Sequence, residues 1–154
     1  MLPDGILETS RISVADPASS KKRILEQAAQ LLAGNADELG AEQIFERLLE
    51  RERLGSTGLA GGVALPHARM PGLEDSRGAF LQLTTPVEFD ALDGQPVDLV
   101  FALLVPNDAT EEHLQLLAKL ATMFKEEPLR ERLREAEADE AMAILSGNTS
   151  THAA

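Results

Sequence analysis

The chain has 154 residues, no cysteine and a formal net charge of −12 at pH 7. This length suits a single domain, and the lack of cysteine excludes a disulfide framework and a thiolate metal site. The negative charge argues against nucleic acid and anionic membranes as main partners, because both need a basic surface. The sequence has no apolar run long enough to cross a bilayer and no signal-peptide pattern, so we expect a cytoplasmic protein.

Hydrophobic periodicity predicts helices, then strands, then helices along the chain. The predicted elements, in chain order, are an edge strand at 10–14, helices at about 20–34 and 41–53, strands at 63–65 and 78–89, a central strand at 97–105, a long helix within 106–124, and short helices near 129–136 and 138–146. The nearly continuous apolar run VDLVFALLV, 97–105, is typical of a strand covered on both faces. This order favours an α/β or α+β fold, with a sheet layered between helices.

Residues of the capping and helix-breaking types mark several of these boundaries. The candidate N-cap residues are Asp16, Ser19 and Ser20 for the first helix and Asp108 or Thr110 for the long third helix. The candidate stops are Gly34-Asn35 and Gly55, and Pro128 is expected to separate the third helix from the next. The polar stretch SGNTSTHAA at the end of the chain is expected to fray.

One segment, GSTGLAGGVALPHARM at 55–70, holds His67 behind a run of glycines and a proline. Glycines let backbone N–H groups approach a ligand closely, and such groups form an anion cradle together with a guanidinium. A neutral imidazole is a good nucleophile near pH 7. These parts fit a histidine that accepts a phosphoryl group, whose peripheral oxygens need donors. On spacing alone, an incidental or structural histidine is the commoner case and stays open.

Other chemistries find less support in the sequence. His67 and His113 could join carboxylates around zinc, but neither HxxxH nor HxH spacing occurs, so we predict no metal site. A serine–histidine–aspartate triad lacks its G-x-S-x-G elbow. The glycines of GSTGLAGG are not followed by GK[ST], so the segment is not a P-loop. No cofactor is expected.

Three stretches, RERLGSTGLAGGVALPHAR, FDALDGQPVDLVFALLVP and EEHLQLLAKLA, together resemble the IIA proteins of the bacterial phosphotransferase system, mannitol/fructose class, and most of all their nitrogen-regulatory branch. The resemblance runs from about residue 10 to 146. It implies a mixed five-stranded sheet sandwiched between helices. It also implies an N-terminal segment at 1–9, a IIA type 2 domain at 10–146 and a flexible tail at 147–154.

The same resemblance implies roles for site residues. The histidine of the PH motif, His67, would be phosphorylated on Nε2, as a tele-phosphohistidine. The supporting arginine would be Arg51 and the second active-site histidine His113. Without the resemblance, Arg51 could simply complement the C-terminal end of a helix, and His113 could be a solvated side chain in the first turn of another. We also expect Ser56, Thr57 and Gly62 to support the phosphate. Arg69 is either a partner-binding residue beside the site or a solvated loop charge.

The function implied by the resemblance is that of a phosphocarrier. His67 would accept a phosphoryl group from the phosphohistidine of an HPr-like donor. The phosphorylation state would regulate target proteins, kinases or transporters, in nitrogen- or potassium-related metabolism. A stand-alone fructose- or mannitol-specific IIA component, which passes phosphate to a IIB domain, is the alternative. A binding protein with an inactive site is a further one, although no residue departs from the motif.

Overall fold

The computed structural model describes residues 2–3, 5–34, 40–108 and 110–147. In chain order its elements are β1 (Ile12–Asp16), α1 (Lys21–Ala33), α2 (Ala41–Leu54), β2 (Val63–Ala64), β3 (His67–Met70), β4 (Arg77–Val87), β5 (Val97–Pro106), α3 (Thr110–Phe124), α4 (Glu127–Glu135) and α5 (Ala138–Ser146). A three-residue 3-10 helix, Thr9–Arg11, precedes β1.

The strands form one mixed sheet with β5 at its centre. On one side β5 pairs with antiparallel β4, and β1 lies parallel to β4 at the edge of the sheet. On its other side β2 and then β3 run parallel to β5, which places His67 opposite Leu103. Every residue of β5 except Asp98 is buried, so the predicted central strand is confirmed.

Helices cover both faces of the sheet. The apolar side of each helix packs on the sheet, so that a separate hydrophobic core lies on each face. The core on one face includes Ile24, Leu25, Leu32, Ile44 and Leu48 from α1 and α2. The core on the other face includes Leu116, Leu120, Phe124, Leu133 and Ile144 from α3, α4 and α5. The predicted architecture, a five-stranded mixed sheet between helices in one domain, is confirmed.

Three boundaries differ from the prediction. The strand β3 was not predicted, because HARM is only four residues long, so its alternation of polar and apolar residues is too short to distinguish a strand from a loop; its extension comes from pairing with β5. Pro128 does not separate two helices but lies in the first turn of α4, where the missing N–H of proline is harmless. The first strand begins at Ile12 rather than at residue 10, because the 3-10 helix occupies Thr9–Arg11.

The predicted caps are confirmed at the start of α1 and at the end of α2. The Ser20 hydroxyl accepts a hydrogen bond from the Arg23 N–H at 3.2 Å, whereas Asp16 binds the Ala18 N–H instead. Gly55 ends α2, and its N–H donates to the Glu52 carbonyl at 3.2 Å. The predicted stop at Asn35, a cap from Thr110 and the tail at 148–154 lie outside what the structure describes. The domain boundaries at 9 and 146 stay predictions.

Candidate functional site

His67 lies at the start of β3, where the chain enters the sheet beside the centre of β5. The Leu103 N–H donates to the Pro66 carbonyl at 2.9 Å and fixes the approach of the chain. The ring is half-buried, and its Nδ1 lies 2.7 Å from the Leu65 carbonyl oxygen. A carbonyl can only accept, so Nδ1 carries the proton in the neutral ring and Nε2 keeps a free lone pair.

His113 faces His67 from the first turn of α3. The two ring centroids are 5.2 Å apart, and the rings meet edge to face at 78°. His113 is buried, with 8% of its surface exposed. The Arg69 Nε–H donates to His113 Nδ1 across a long contact of 3.5 Å, which leaves the proton of a neutral His113 ring on Nε2. The Nε2 atoms of the two neutral histidines therefore differ: that of His67 has a free lone pair, and that of His113 carries a proton.

The surroundings keep both imidazoles neutral. Burial lowers the pKa of His67 below its ordinary value of 6.5, and the charge of Arg51 lowers it further, against the opposing effects of the Leu65 hydrogen bond and Glu52. Burial also lowers the pKa of His113, and the charges of His67, Arg69 and Arg51 act in the same direction. A neutral histidine is the nucleophilic form, so the lowered pKa of His67 favours a nucleophilic imidazole near pH 7.

The two histidines line an open cavity of about 700 Å³ whose remaining wall is rich in arginine. The arginines of this wall are Arg47, Arg51, Arg53 and Arg69. Arg51 donates through Nη1 to the Gly55 carbonyl at 2.9 Å. A guanidinium also presents other N–H groups in a planar fork that fits phosphate oxygens. A larger cavity of about 840 Å³, between α1 and α2, has no histidine in its wall.

The structure thus brings together four of the predicted site residues, namely His67, His113, Arg51 and Arg69. It places Ser56, Thr57 and Gly62 outside the wall of this cavity. The Ser56 hydroxyl donates to the Phe89 carbonyl at 2.6 Å, and the Thr57 hydroxyl donates to Glu52 at 2.6 Å. Gly62 has φ +81°, and a Cβ there would lie 2.7 Å from Arg134 Nη2. Phosphate support by these three residues stays a prediction.

Metal and membrane alternatives gain no support from the described ranges. Among residues 2–3, 5–34, 40–108 and 110–147, no group of three histidine, cysteine or carboxylate side chains is placed to hold a metal ion. In the same part of the chain, no helix has the length and apolar character needed to cross a membrane.

The sequence from residue 5 to 148 matches a protein family described as "Phosphoenolpyruvate-dependent sugar phosphotransferase system, EIIA 2". The chain belongs to this EIIA type 2 family. Two nitrogen regulatory proteins are similar to it. That of Pseudomonas aeruginosa is 52% identical over 89% of each chain. That of Escherichia coli K12 is 45% identical over 84% of this chain and 80% of its own.

A sugar-specific relative is less similar. The fructose-specific EIIA component of Haloferax volcanii is 36% identical over 82% of each chain. The crystal structure of nitrogen regulatory protein IIA-Ntr from Neisseria meningitidis superposes with a TM-score of 0.85 at 47% identity, over 91% of this chain and 96% of that one. These likenesses favour the regulatory interpretation over the sugar-specific alternative.

One residue of this EIIA protein that sequence reasoning missed is Glu52, whose side chain is only 3% exposed. Its carboxylate accepts from the Thr57 N–H and hydroxyl and pairs with Lys21 Nζ at 2.8 Å. The Thr57 carbonyl accepts the Leu65 N–H at 3.0 Å, and the Leu65 carbonyl in turn holds His67. Glu52 therefore fixes the segment that orients the histidine. The available signal was a carboxylate in the last turn of a helix, where the helix dipole disfavours it.

Proposed function

We propose that this EIIA protein is a phosphocarrier that accepts a phosphoryl group on Nε2 of His67 from the phosphohistidine of an HPr-like donor, and that its phosphorylation state regulates partner proteins. The observation that carries the proposal is the 2.7 Å contact between His67 Nδ1 and the Leu65 carbonyl. This contact leaves Nε2 as the nitrogen with a free lone pair, in a residue that lines the arginine-rich cavity. We place this activity in the cytoplasm.

The proposed step exchanges one phosphorus–nitrogen bond for another. The Nε2 lone pair of His67 forms a bond to phosphorus as the bond from phosphorus to the donor nitrogen breaks, and the electron pair of that bond returns to the donor ring. The Nδ1 proton stays on His67, held by the Leu65 carbonyl. The three peripheral oxygens carry the negative charge during transfer, so positioned donors are the main catalytic need.

His113 and Arg51 are the donors best placed for this charge. Because His113 Nδ1 accepts from Arg69, the neutral His113 ring can donate its Nε2–H. The centroid of this ring lies 5.2 Å from that of His67. Arg51 offers its guanidinium fork from the end of α2. We propose that Ser56, Thr57 and Gly62 support the phosphate indirectly, because their contacts fix the glycine-rich segment that leads to His67. The protein would thus be a transferase in chemical terms and a regulator in its biological role.

Phosphorylation is tested with the phosphoenolpyruvate-dependent donor chain and mass spectrometry of the intact protein under non-acidic conditions. The wild type is expected to gain the mass of one phosphoryl group, and His67→Ala is expected to fold normally and to gain none. His152→Ala removes a histidine of the C-terminal stretch and is the matched control, which should be labelled like the wild type. Labelling of His67→Ala would show that another residue is the acceptor.

The regulatory part is tested by comparing two bacterial strains. If the phosphorylation state is the signal, a strain with His67→Ala holds the protein in its unphosphorylated state and differs in growth on poor nitrogen or low potassium from a strain without the protein. If the protein only passes phosphate on, the two strains should grow alike, because phosphoryl transfer through the protein is interrupted in both.

A further inference from the structure

Arg69 follows His67 by two positions in β3, and the pleat of a strand turns residues at this spacing to the same face of the sheet. Ala68 and Met70 alternate with them and are buried in the core that α1 and α2 cover. His67 and Arg69 therefore point to the opposite face, where α3 begins. Because Arg69 pairs with Val105 of β5, strand pairing and not a loop fixes its place.

His113 depends on Arg69 for a hydrogen bond. Only 8% of the surface of His113 is exposed, and a buried polar atom normally has a hydrogen-bond partner. The Arg69 Nε–H donates to His113 Nδ1 at 3.5 Å. Within the part of the chain that the structure describes, no other hydrogen bond to this ring is found. Without Arg69, Nδ1 would be a largely buried acceptor that has no donor.

The contact with Arg69 decides what the His113 ring can offer to a ligand. A neutral imidazole has one N–H, and its other nitrogen can only accept a hydrogen bond. Because His113 Nδ1 accepts from Arg69, the single N–H is on Nε2. The ring is thereby fixed as a donor at a centroid distance of 5.2 Å from the His67 ring. A ring that lost this contact could turn over or carry its proton on Nδ1.

We infer that Arg69 is a positioning residue for phosphoryl transfer, which holds the His113 ring with its Nε2–H free to donate to the phosphoryl group on His67. The inference rests on the proposed function, because it takes His67 to be the acceptor. Arg69 acts through His113 and not by direct contact with the donor protein. Lysine at this position would keep the positive charge but would lack the Nε–H that contacts His113.

The first test uses the unphosphorylated protein and needs no donor. Two-bond ¹H–¹⁵N correlation spectra of the imidazoles report which nitrogen of His113 carries the proton, and they follow its titration. We expect the Nε2–H form and a pKa below 6.5 in the wild type. In Arg69→Ala we expect a mixture of both neutral forms and a higher pKa of His113, because the charge of Arg69 lowers it. Arg132→Ala removes an exposed arginine of α4 outside the cavity wall and should change neither property.

The second test measures single-turnover phosphoryl transfer by rapid quench, with the phosphorylated HPr-like protein of the same organism at several concentrations. Arg69 is exposed, so its variants should fold. Arg69→Ala should lower the maximal rate about tenfold and leave the half-saturating donor concentration nearly unchanged. Arg69→Lys should lose less. In an H113Q background, R69A should cause no further loss, because two residues that act as a unit are not additive.

Unchanged His113 resonances in Arg69→Ala would overturn the inference, whatever the transfer rate. A higher half-saturating donor concentration with an unchanged maximal rate would also overturn it, because Arg69 would then be a partner-binding residue. So would a further loss from R69A in the H113Q background. If the wild type accepts no phosphoryl group, the proposed function fails and the inference fails with it, and the resonances alone then show whether Arg69 holds His113.

Discussion

Arginines approach the glycine-rich segment before His67 from two sides, and the two sides differ in how the guanidinium groups are paired. On the α4 side, Arg134 donates to both oxygens of Asp98 at 2.9 and 3.2 Å and to the Gly61 carbonyl at 2.6 Å. Arg130 donates to the carbonyls of Phe124 and Lys125, both at 2.9 Å. On the cavity side lies what we call the arginine cluster, namely Arg47, Arg51, Arg53 and Arg69, and within the described residues these four form no ion pair. Arg134 therefore holds the segment in place through Gly61, whereas the arginines of the cavity wall keep N–H groups available for a ligand.

This contrast predicts that a change on the α4 side mainly affects stability. In Gly62→Ala the new Cβ would lie 2.7 Å from Arg134 Nη2 and 2.9 Å from Asp98 Oδ1, at a backbone φ of +81°. We expect a loss of about 3 kcal/mol in the free energy of unfolding, because steric conflict adds to backbone strain. Chemical denaturation measures it.

The matched control for this variant is Gly72→Ala, which has φ +84° but meets nothing within 4 Å of the new Cβ. It should lose only the strain, about 1 kcal/mol. If both variants lost the same free energy of unfolding, the Arg134 and Asp98 side chains would move aside at no cost, and their ion pair would not fix the segment.

Glu52 connects stability to the site, so Glu52→Gln should affect both. The amide keeps one acceptor for Thr57 but leaves Lys21 without its buried counter-charge, which should cost about 2 kcal/mol of unfolding free energy. Because the Glu52 charge raises the pKa of His67, its loss should lower that pKa further. Titration of the imidazole ¹⁵N resonances measures the shift. A stability loss without a change in the His67 resonances would confine Glu52 to a structural role.

On the cavity side, Arg51→Lys should affect transfer and leave stability alone. Lysine keeps the positive charge but lacks the planar fork, so we expect transfer to slow about tenfold. Arg47→Lys is the control: it conserves charge at an exposed position and should transfer like the wild type. Single-turnover rates and thermal denaturation of both variants distinguish these outcomes. Equal rates in Arg51→Lys and the wild type would remove Arg51 from the transfer step.

The smallest expected effect is the dependence of stability on pH. The pKa values of His67 and His113 are lowered in the folded protein, so below pH 6.5 the unfolded chain binds protons that the folded chain does not. Their contribution to stability is therefore complete above pH 6.5 and is lost as the pH falls from 6.5 toward the lower folded-state values. In H67Q/H113Q this part of the pH dependence should disappear, whereas His152→Gln should retain it. If the stability of the double variant depended on pH as that of the wild type does, other titratable groups would cause the loss of stability below pH 6.5.

Much of the fold followed from local patterns in the sequence. The period of the apolar residues predicted α1 and α2, and the apolar run at 97–105 predicted the buried central strand β5. The turn chemistry of Gly55 marked the end of α2. These features depend on neighbours within one or two turns, so they can be inferred without knowing the fold. The motif around His67 likewise pointed to the histidine through its resemblance to known IIA proteins.

The sequence alone therefore predicted most of the helices and strands correctly, and the reactive role of His67 stays a prediction made from it. The strand at 67–70, in contrast, depends on tertiary structure, because the pairing of His67 with Leu103 joins residues far apart in the chain. Tertiary structure alone engaged Ser56 and Thr57 in internal hydrogen bonds rather than in the cavity wall. It also assembled the arginine cluster from a helix and a strand, since charge density on a surface depends on packing and not on spacing along the chain.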